Sequence, residues 1–116
     1  MSNSAFVYLK YCPQLDLYKI GVAKNYNQRN KGLQTGNPFE IITRHVFASK
    51  YPYKVEAAIH REFVGFKHSV DDVKLKGEWF NLTNEQVDKF LIKCENIEKS
   101  IDFLVDSGNE FILRNF

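Results

Sequence analysis

Residues 5–22 read AFVYLKYCPQLDLYKIGV, and this stretch decides the fold because it holds two strand patterns separated by a turn. Its first eight residues are rich in aromatic and β-branched types, which favour strands. A proline and an aspartate then mark a turn, and residues 17–22 carry the second strand pattern. The segment therefore predicts a β-hairpin.

Alternation along the hairpin predicts which side chains share a face. Successive residues of a strand point to opposite sides of the sheet. On the first strand this groups Tyr8 with Phe6 and Lys10, and on the second it groups Lys19 with Gly21. The hairpin can therefore present a phenol and an ammonium group to a common site.

The next part of the chain alternates between helix and strand signals. Asn25 and Gln28 form a capping pair for a short helix over residues 26–35, which the sequence Gly-Asn-Pro then ends. Residues 41–48 have the composition of a third strand. Pro52 suits the first turn of a second helix, whose apolar spacing predicts a buried stripe of Val55, Ile59, Phe63 and Phe66.

The last third predicts one long helix. Residues 67–77 are polar and loop-like, and residues 79–82 form a short apolar strand. A capping box at Thr83 begins a helix that continues to about Val105, followed by an apolar tail. The order of elements predicts an α+β fold in one domain of residues 1–116, with its core in about 5–90 and the C-terminal helix and tail in about 83–116.

Composition bounds the class of protein. With 116 residues and 44% hydrophobic content the chain can form one domain with a real core. No apolar run approaches the roughly 20 residues of a membrane span, and the N-terminus does not resemble a signal peptide. The 2 cysteines, Cys12 and Cys94, are too few for a zinc site and predict buried thiols. We expect a soluble intracellular protein.

Charge is distributed unevenly along the chain. Residues 1–82 carry 12 Lys and Arg against 7 Asp and Glu, a net charge of +5. Residues 83–116 carry 4 against 7, a net charge of −3. The basic part coincides with the hairpin and the elements after it, which favours a polyanionic partner there.

The types of side chain found there suit the hydrolysis of a phosphodiester. Tyr8 can take a proton from a water if a cation such as Lys19 favours its ionised form. Arg29 offers a planar fork for two phosphate oxygens. Glu56 offers a hard carboxylate ligand for one Mg²⁺, which takes the rest of its shell from water and substrate.

In this order and spacing the residues resemble the GIY-YIG endonuclease superfamily, and more narrowly its branch of short phage and large-DNA-virus proteins. Phe6-Val7-Tyr8 stands where the first motif ends, and the Tyr-Lys-Ile-Gly sequence at residues 18–21 stands at the second motif. Residues 55–63 resemble the segment that carries the metal-binding glutamate, and residues 77–81 resemble the closing strand. The resemblance covers about residues 5–90. The chain departs from the family pattern at Lys19, which replaces a tyrosine, and at Leu33, where many members have histidine.

The resemblance implies a three-stranded antiparallel sheet flanked by helices and a DNA endonuclease that uses Mg²⁺ or Mn²⁺. It implies a general-base role for Tyr8 assisted by Lys19, transition-state stabilisation by Arg29, metal binding by Glu56 and an active-site role for Asn81. Residues predicted to contact the substrate are Tyr18, Gly21, Lys24, Lys31 and His60.

Some assignments stay open at this point. His60 lies one helical turn from Glu56, so it either joins Glu56 at a metal or serves in packing or hydrogen bonding. Lys10, Lys24, Lys31 and Arg44 either line a DNA track or are ordinary solvated residues. The expected partner is DNA, including branched or single-stranded forms, because 116 residues leave no room for a separate targeting domain.

Two other functions compete with the endonuclease. One is a nucleic-acid-binding module that keeps the fold without catalysis. The other is a protein-interaction domain that forms a homodimer through the long C-terminal helix. The branch resemblance also suggests a viral protein of DNA repair or recombination, acting in the cytoplasm or nucleus of a host cell.

Overall fold

A computed structural model describes residues 5–24, 40–67 and 78–108 of the chain. Its sheet is antiparallel and three-stranded, with strands β1 (Ala5–Cys12), β2 (Leu17–Ala23) and β3 (Ile42–Ser49) in the order β2-β1-β3. This confirms the predicted hairpin and the predicted fold class. The predicted helix over residues 26–35, most of the predicted loop over 67–77 and the apolar tail lie outside the described residues.

The hairpin turn fixes the register of β1 and β2. The carbonyl of Cys12 accepts hydrogen bonds from the amides of Leu15 (3.3 Å) and Asp16 (2.8 Å). Asp16 has a left-handed backbone (φ 54°), a conformation that aspartate tolerates better than most residues. The resulting register pairs Tyr8 with Gly21 and Lys10 with Lys19. Residues directly opposite each other in an antiparallel pair share a face, so Lys19 lies on the same face as Tyr8.

Helices follow the third strand. They are α1 (Pro52–Glu62), a short 3₁₀ turn (Val64–Phe66), α2 (Asn84–Asp88) and α3 (Phe90–Asp106). The capping box at Thr83 is present, with Gln86 N–H donating to Thr83 Oγ1 at 3.1 Å and Thr83 N–H donating to Gln86 Oε1 at 2.7 Å. The long C-terminal helix is confirmed, but the prediction that it runs unbroken from Thr83 is wrong. The backbone at Lys89 (φ −92°, ψ 2°) ends α2 and α3 begins at the next residue.

Helices α1 and α3 cover one face of the sheet and form the main core. That core contains Val7, Leu9, Tyr18, Ile20, Val55, Ile59, Phe63, Phe80, Val87, Phe90, Cys94 and Ile101. Three members of the predicted α1 stripe are buried, but Phe66 is 43% exposed. The α-helix ends at Glu62 and the tighter 3₁₀ turn rotates Phe66 away from the stripe.

A second apolar cluster lies on the opposite face of the hairpin. It contains Cys12, Leu17, Ile41 and Trp79. Both cysteines are free and buried, as predicted, and burial raises the pKa of the Cys94 thiol to about 12. At neutral pH that thiol is protonated and behaves as a small apolar group.

The predicted closing strand is reduced to an isolated pairing at Phe80. The backbone of Phe80 exchanges hydrogen bonds of 2.9 and 2.8 Å with Tyr18 at the start of β2, and Phe80 also forms a bridge with Lys67. This segment therefore covers only the beginning of the β2 edge. Within the described residues, no helix has both the length and the apolar character that crossing a bilayer requires.

A polar cluster fixes α3 to the end of β3. Ser49 Oγ donates to Glu98 Oε1 at 2.6 Å, and the amide of Lys50 donates to the same oxygen at 2.9 Å. Further along the helix, Asp102 accepts hydrogen bonds from Lys50 Nζ and from the Tyr51 hydroxyl, both at 2.9 Å. These contacts align α3 with the sheet.

Stability is expected to fall in acid partly because of Asp102. The hydrogen bond from Lys50, and then that from Tyr51, lowers the pKa of the Asp102 carboxyl in the folded protein. A carboxyl whose folded pKa is depressed stabilises the fold above its unfolded pKa, and this stabilisation is lost as pH falls through the folded pKa. Asp102→Asn should therefore show a shallower loss of melting temperature than the wild type as pH decreases below about 4.

Asp106→Asn is the matched control, since Asp106 lies one turn further along the same helix and is exposed. It should follow the wild-type pH profile. Parallel profiles for the wild type and Asp102→Asn would refute the assignment.

Candidate functional site

A cavity of about 220 Å³ lies along the open edge of β2. Its lining includes four consecutive residues of that strand, Lys19 to Val22. Because successive strand residues point to opposite faces, the cavity must follow the strand edge rather than one face of the sheet. The other lining residues are Tyr8 from β1, Tyr53, Glu56 and His60 from α1, and Glu78 from the closing segment.

Gly21 creates the space that the Tyr8 side chain occupies. The two residues face each other across β1 and β2, and a Cβ atom built on Gly21 would overlap the Tyr8 hydroxyl and the adjoining ring carbon. The Tyr8 side chain is fully buried, and its hydroxyl has no hydrogen-bond partner in the described structure. A glycine at this position therefore lets a phenol reach the cavity from the sheet.

Two lysines flank this phenol on the same face. Lys19 lines the cavity, and its Nζ lies 5.6 Å from the centre of the Trp79 ring. Lys10 lies beside it, with Nζ 5.0 Å from the centre of the Tyr8 ring and 2.9 Å from Thr43 Oγ1. Lys10 is fully buried. The two predictions for this residue, that it lines a DNA track on the surface or that it is an ordinary solvated residue, are therefore both wrong. Its contacts with β1 and β3 side chains draw it inward.

Glu56 reaches the cavity from α1. Tyr53, Glu56 and His60 are spaced at i, i+3 and i+7, so they share one side of the helix, and all three line the cavity. Val55 and Ile59 point to the core. Glu56, which the sequence predicts to be a metal ligand, is half-buried and lines the same cavity as Tyr8 and Lys19.

Both ring nitrogens of His60 contact protein acceptors. Nδ1 lies 2.8 Å from Glu78 Oε2, and Nε2 lies 3.0 Å from the backbone carbonyl of Ile20. Hydrogen bonds from Lys67 and then from His60 lower the pKa of the Glu78 carboxyl, which favours its ionised form. Both acceptors lie within hydrogen-bond distance of the ring, so His60 is held between the β2 edge and the closing segment.

These contacts favour a packing or hydrogen-bonding role for His60, because each ring nitrogen already faces a protein acceptor. His60 ties α1 to the β2 edge and to the closing segment. Its role at a metal with Glu56 stays a prediction.

Replacing His60 with alanine should destabilise the fold by about 1–3 kcal/mol, because the Ile20 carbonyl loses its side-chain donor and Glu78 loses one of two. Urea denaturation measures this change. Glu62→Ala on the same helix is the control: it removes only an exposed ion pair with Lys93 and should cost less than about 1 kcal/mol. Equal losses for the two variants would show that the His60 contacts contribute nothing beyond a surface pair.

Several predicted site residues are not brought to the cavity. Tyr18 is buried on the opposite face, with its ring 4.7 Å from that of Tyr11. Asn81 is exposed and absent from the lining, and its amide donates to the Phe66 carbonyl at 2.7 Å. Lys24 is exposed just beyond β2. Two further predicted residues, Arg29 and Lys31, lie outside the described residues.

For two lining residues the sequence predicts less: Tyr53 stays open between stacking on a base and packing in the core, and Glu78 is expected only to support the geometry of a loop. Tyr53 precedes Glu56 by three residues, and this helical spacing was the available signal. Glu78 lies two residues before Phe80, whose backbone pairing with Tyr18 of β2 brings this segment to the cavity. Only contacts between distant parts of the chain identify Glu78 as a cavity residue.

The donor set suits Mg²⁺ only with help from the substrate. Among the described residues, no three His, Cys, Asp or Glu side chains form a group that could hold a metal. Mg²⁺ is commonly bound by one or two carboxylates, with water and substrate phosphates completing the shell. Glu56 at the cavity fits that requirement.

Fold and site together define a small α+β domain with a phenol, a lysine and a carboxylate at one edge of its sheet. A scan against protein families matches residues 5–95 to the T5orf172 domain, and the chain belongs to this family. The domain is part of the GIY-YIG-like nuclease superfamily and indicates a nuclease-like or DNA-binding module. Searches of the curated proteins and of the solved structures returned no match.

Proposed function

We propose that the protein is a metal-dependent endonuclease that hydrolyses DNA phosphodiester bonds at the β2-edge cavity. The observation that carries this proposal is the buried Tyr8 hydroxyl, which has no partner in the described structure and lies at the same cavity as Lys19 and Glu56. The T5orf172 match supports the same class of function.

The energetic cost of the Tyr8 hydroxyl indicates a ligand. A buried polar group without a partner costs about 1–3 kcal/mol. A water molecule or a phosphate oxygen in the cavity supplies the missing hydrogen bond and removes that cost. The phenol would act as a general base by taking a proton from a water within hydrogen-bond reach.

Positive charge at the cavity serves the other requirements of hydrolysis. Lys19 attracts the phosphate and stabilises negative charge that develops on its oxygens. In this proposal the Arg29 guanidinium also stabilises the negative charge that develops on the phosphate. Lys24 and Lys31 contact the DNA backbone. Tyr18 and Asn81 are given no role in this proposal, because neither is among the described lining residues of the cavity.

Glu56 would hold Mg²⁺ or Mn²⁺. A bound divalent ion supplies charge stabilisation for the phosphate and for the leaving oxygen. The loss of Glu56 should therefore uncouple DNA binding from cleavage.

A DNA-binding module without hydrolysis is the second candidate. It is favoured by the enclosure of the Tyr8 hydroxyl, which bulk solvent does not reach in the described structure. Such a module would bind DNA with an affinity that falls steeply with salt, without cleaving under any divalent ion.

Incubation with a panel of nucleic acids separates the candidates. The panel contains supercoiled plasmid, linear duplex, single-stranded and branched DNA, and RNA, each with Mg²⁺ or Mn²⁺. We expect cleavage of DNA that a chelator abolishes and that Glu56→Gln lacks, while circular dichroism shows the variant to be folded. Binding without cleavage under both ions would overturn the endonuclease in favour of the binding module.

A further inference from the structure

Tyr53 presents an aromatic ring at the rim of the cavity. It lies in the first turn of α1, directly after Pro52, and lines the cavity with Glu56 and His60. The residue is 64% exposed. Its ring makes no stacking contact with another ring of the described part of the chain. A large and mostly exposed aromatic side chain thus lies next to the site.

The cavity presents mainly charged or phenolic side chains. Among its described lining residues these are Tyr8, Lys19, Tyr53, Glu56 and Glu78. Burying an apolar base face among such polar groups is less favourable than placing a charged, hydrogen-bonding phosphodiester there. We therefore expect a nucleotide whose phosphate enters the cavity to place its base at the rim.

The rim near Tyr53 suits a nucleic-acid strand. The first turn of α1 contains no acidic residue, and the carboxylates that line the cavity with Tyr53 are Glu56 and Glu78. Base–aromatic stacking needs an exposed base face. Inside a duplex both faces of a base are covered by its neighbours, whereas an unpaired base can leave the stack.

We infer that Tyr53 stacks on an unpaired base of the DNA strand whose phosphate occupies the cavity. The inference rests on the proposed function, because it requires DNA to enter this cavity. It assigns the substrate class: DNA that is single-stranded or locally unpaired beside the bound phosphate. Tyr53 then recognises DNA that has an unpaired base, while Tyr8 acts as the general base in hydrolysis.

Binding without cleavage tests this inference. The full chain is titrated, with a chelator present, into a fluorescently labelled oligonucleotide, either single-stranded or annealed to its complement, and anisotropy gives the Kd. We expect Tyr53→Ala to weaken single-strand binding about tenfold and to leave duplex binding unchanged. Tyr53→Trp, which keeps an aromatic ring, should bind single strands like the wild type. Phe103→Ala is the control, since Phe103 is 71% exposed on α3.

The outcomes distinguish this inference from the proposed function. If Tyr53→Ala binds single strands with wild-type affinity, the stacking by Tyr53 is overturned. If its affinity for the duplex falls as much as its affinity for single strands, the requirement for an unpaired base is overturned. If the wild type cleaves DNA while Tyr53→Ala binds normally, only the inference fails. If Tyr53→Ala loses single-strand binding but the wild type cleaves nothing, only the hydrolysis fails. A wild type that binds no DNA contradicts both.

Discussion

Replacing Tyr8 with phenylalanine should lower the rate of DNA cleavage by about 10²–10⁴-fold, the usual contribution of a general base. The substitution removes only the hydroxyl, which has no hydrogen-bond partner in the described structure. Removing an unpartnered buried hydroxyl leaves the free energy of unfolding unchanged or raises it. The variant should therefore lose activity without losing stability. Plasmid nicking and urea denaturation measure the two quantities.

Tyr51→Phe is the matched control for this experiment. The Tyr51 hydroxyl donates to Asp102 Oδ1 at 2.9 Å, and the residue is absent from the lining of the cavity. Its removal should cost about 1 kcal/mol of stability and leave cleavage unchanged. The opposite pattern, an active but destabilised Tyr8→Phe, would assign Tyr8 a purely structural role.

Introducing a methyl group at Gly21 should damage both the fold and the site. A Cβ there overlaps the Tyr8 hydroxyl and ring, and the ring is fully buried with little freedom to move. Overpacking of this kind costs about 1–3 kcal/mol. Because the phenol must shift away from the cavity, Gly21→Ala should also abolish cleavage. Denaturation and nicking assays on the same preparation check both effects.

Gly65→Ala is the control, because a glycine-to-alanine substitution lowers the conformational entropy of the unfolded chain equally in the two variants. A Cβ at Gly65 meets no atom within 4 Å, so its stability should change by less than about 1 kcal/mol. Adding Tyr8→Ala to Gly21→Ala removes the overlapping ring, so the double variant should lose less stability than the sum of the two single losses. Additive losses would show that Gly21 and Tyr8 do not interfere.

The hairpin and its faces could be predicted because they depend on local rules. Period-2 alternation placed Tyr8, Lys19 and Gly21 on one side of the sheet, and the register confirms this grouping. Helical spacing set Glu56 apart from the buried positions Val55 and Ile59. These relations involve residues close in sequence or joined by a tight turn.

Other features depend on contacts that no local pattern shows. His60 contacts Ile20 and Glu78, which are 40 and 18 residues away, so these contacts could not be foreseen. Lys10 is buried because Thr43 and Tyr8 lie beside its ammonium group. The break at Lys89 was hidden because buried side chains continue in helical phase on both sides of it.

The location of bound DNA tests the central claim most directly. A crystal structure of Glu56→Gln with Mg²⁺ and a single-stranded oligonucleotide should place one phosphate group in the β2-edge cavity. The Tyr8 hydroxyl should then lie about 2.6–3.2 Å from a phosphate oxygen or from a water that contacts the phosphate. DNA bound on another surface, with no phosphate at the cavity, would contradict the account.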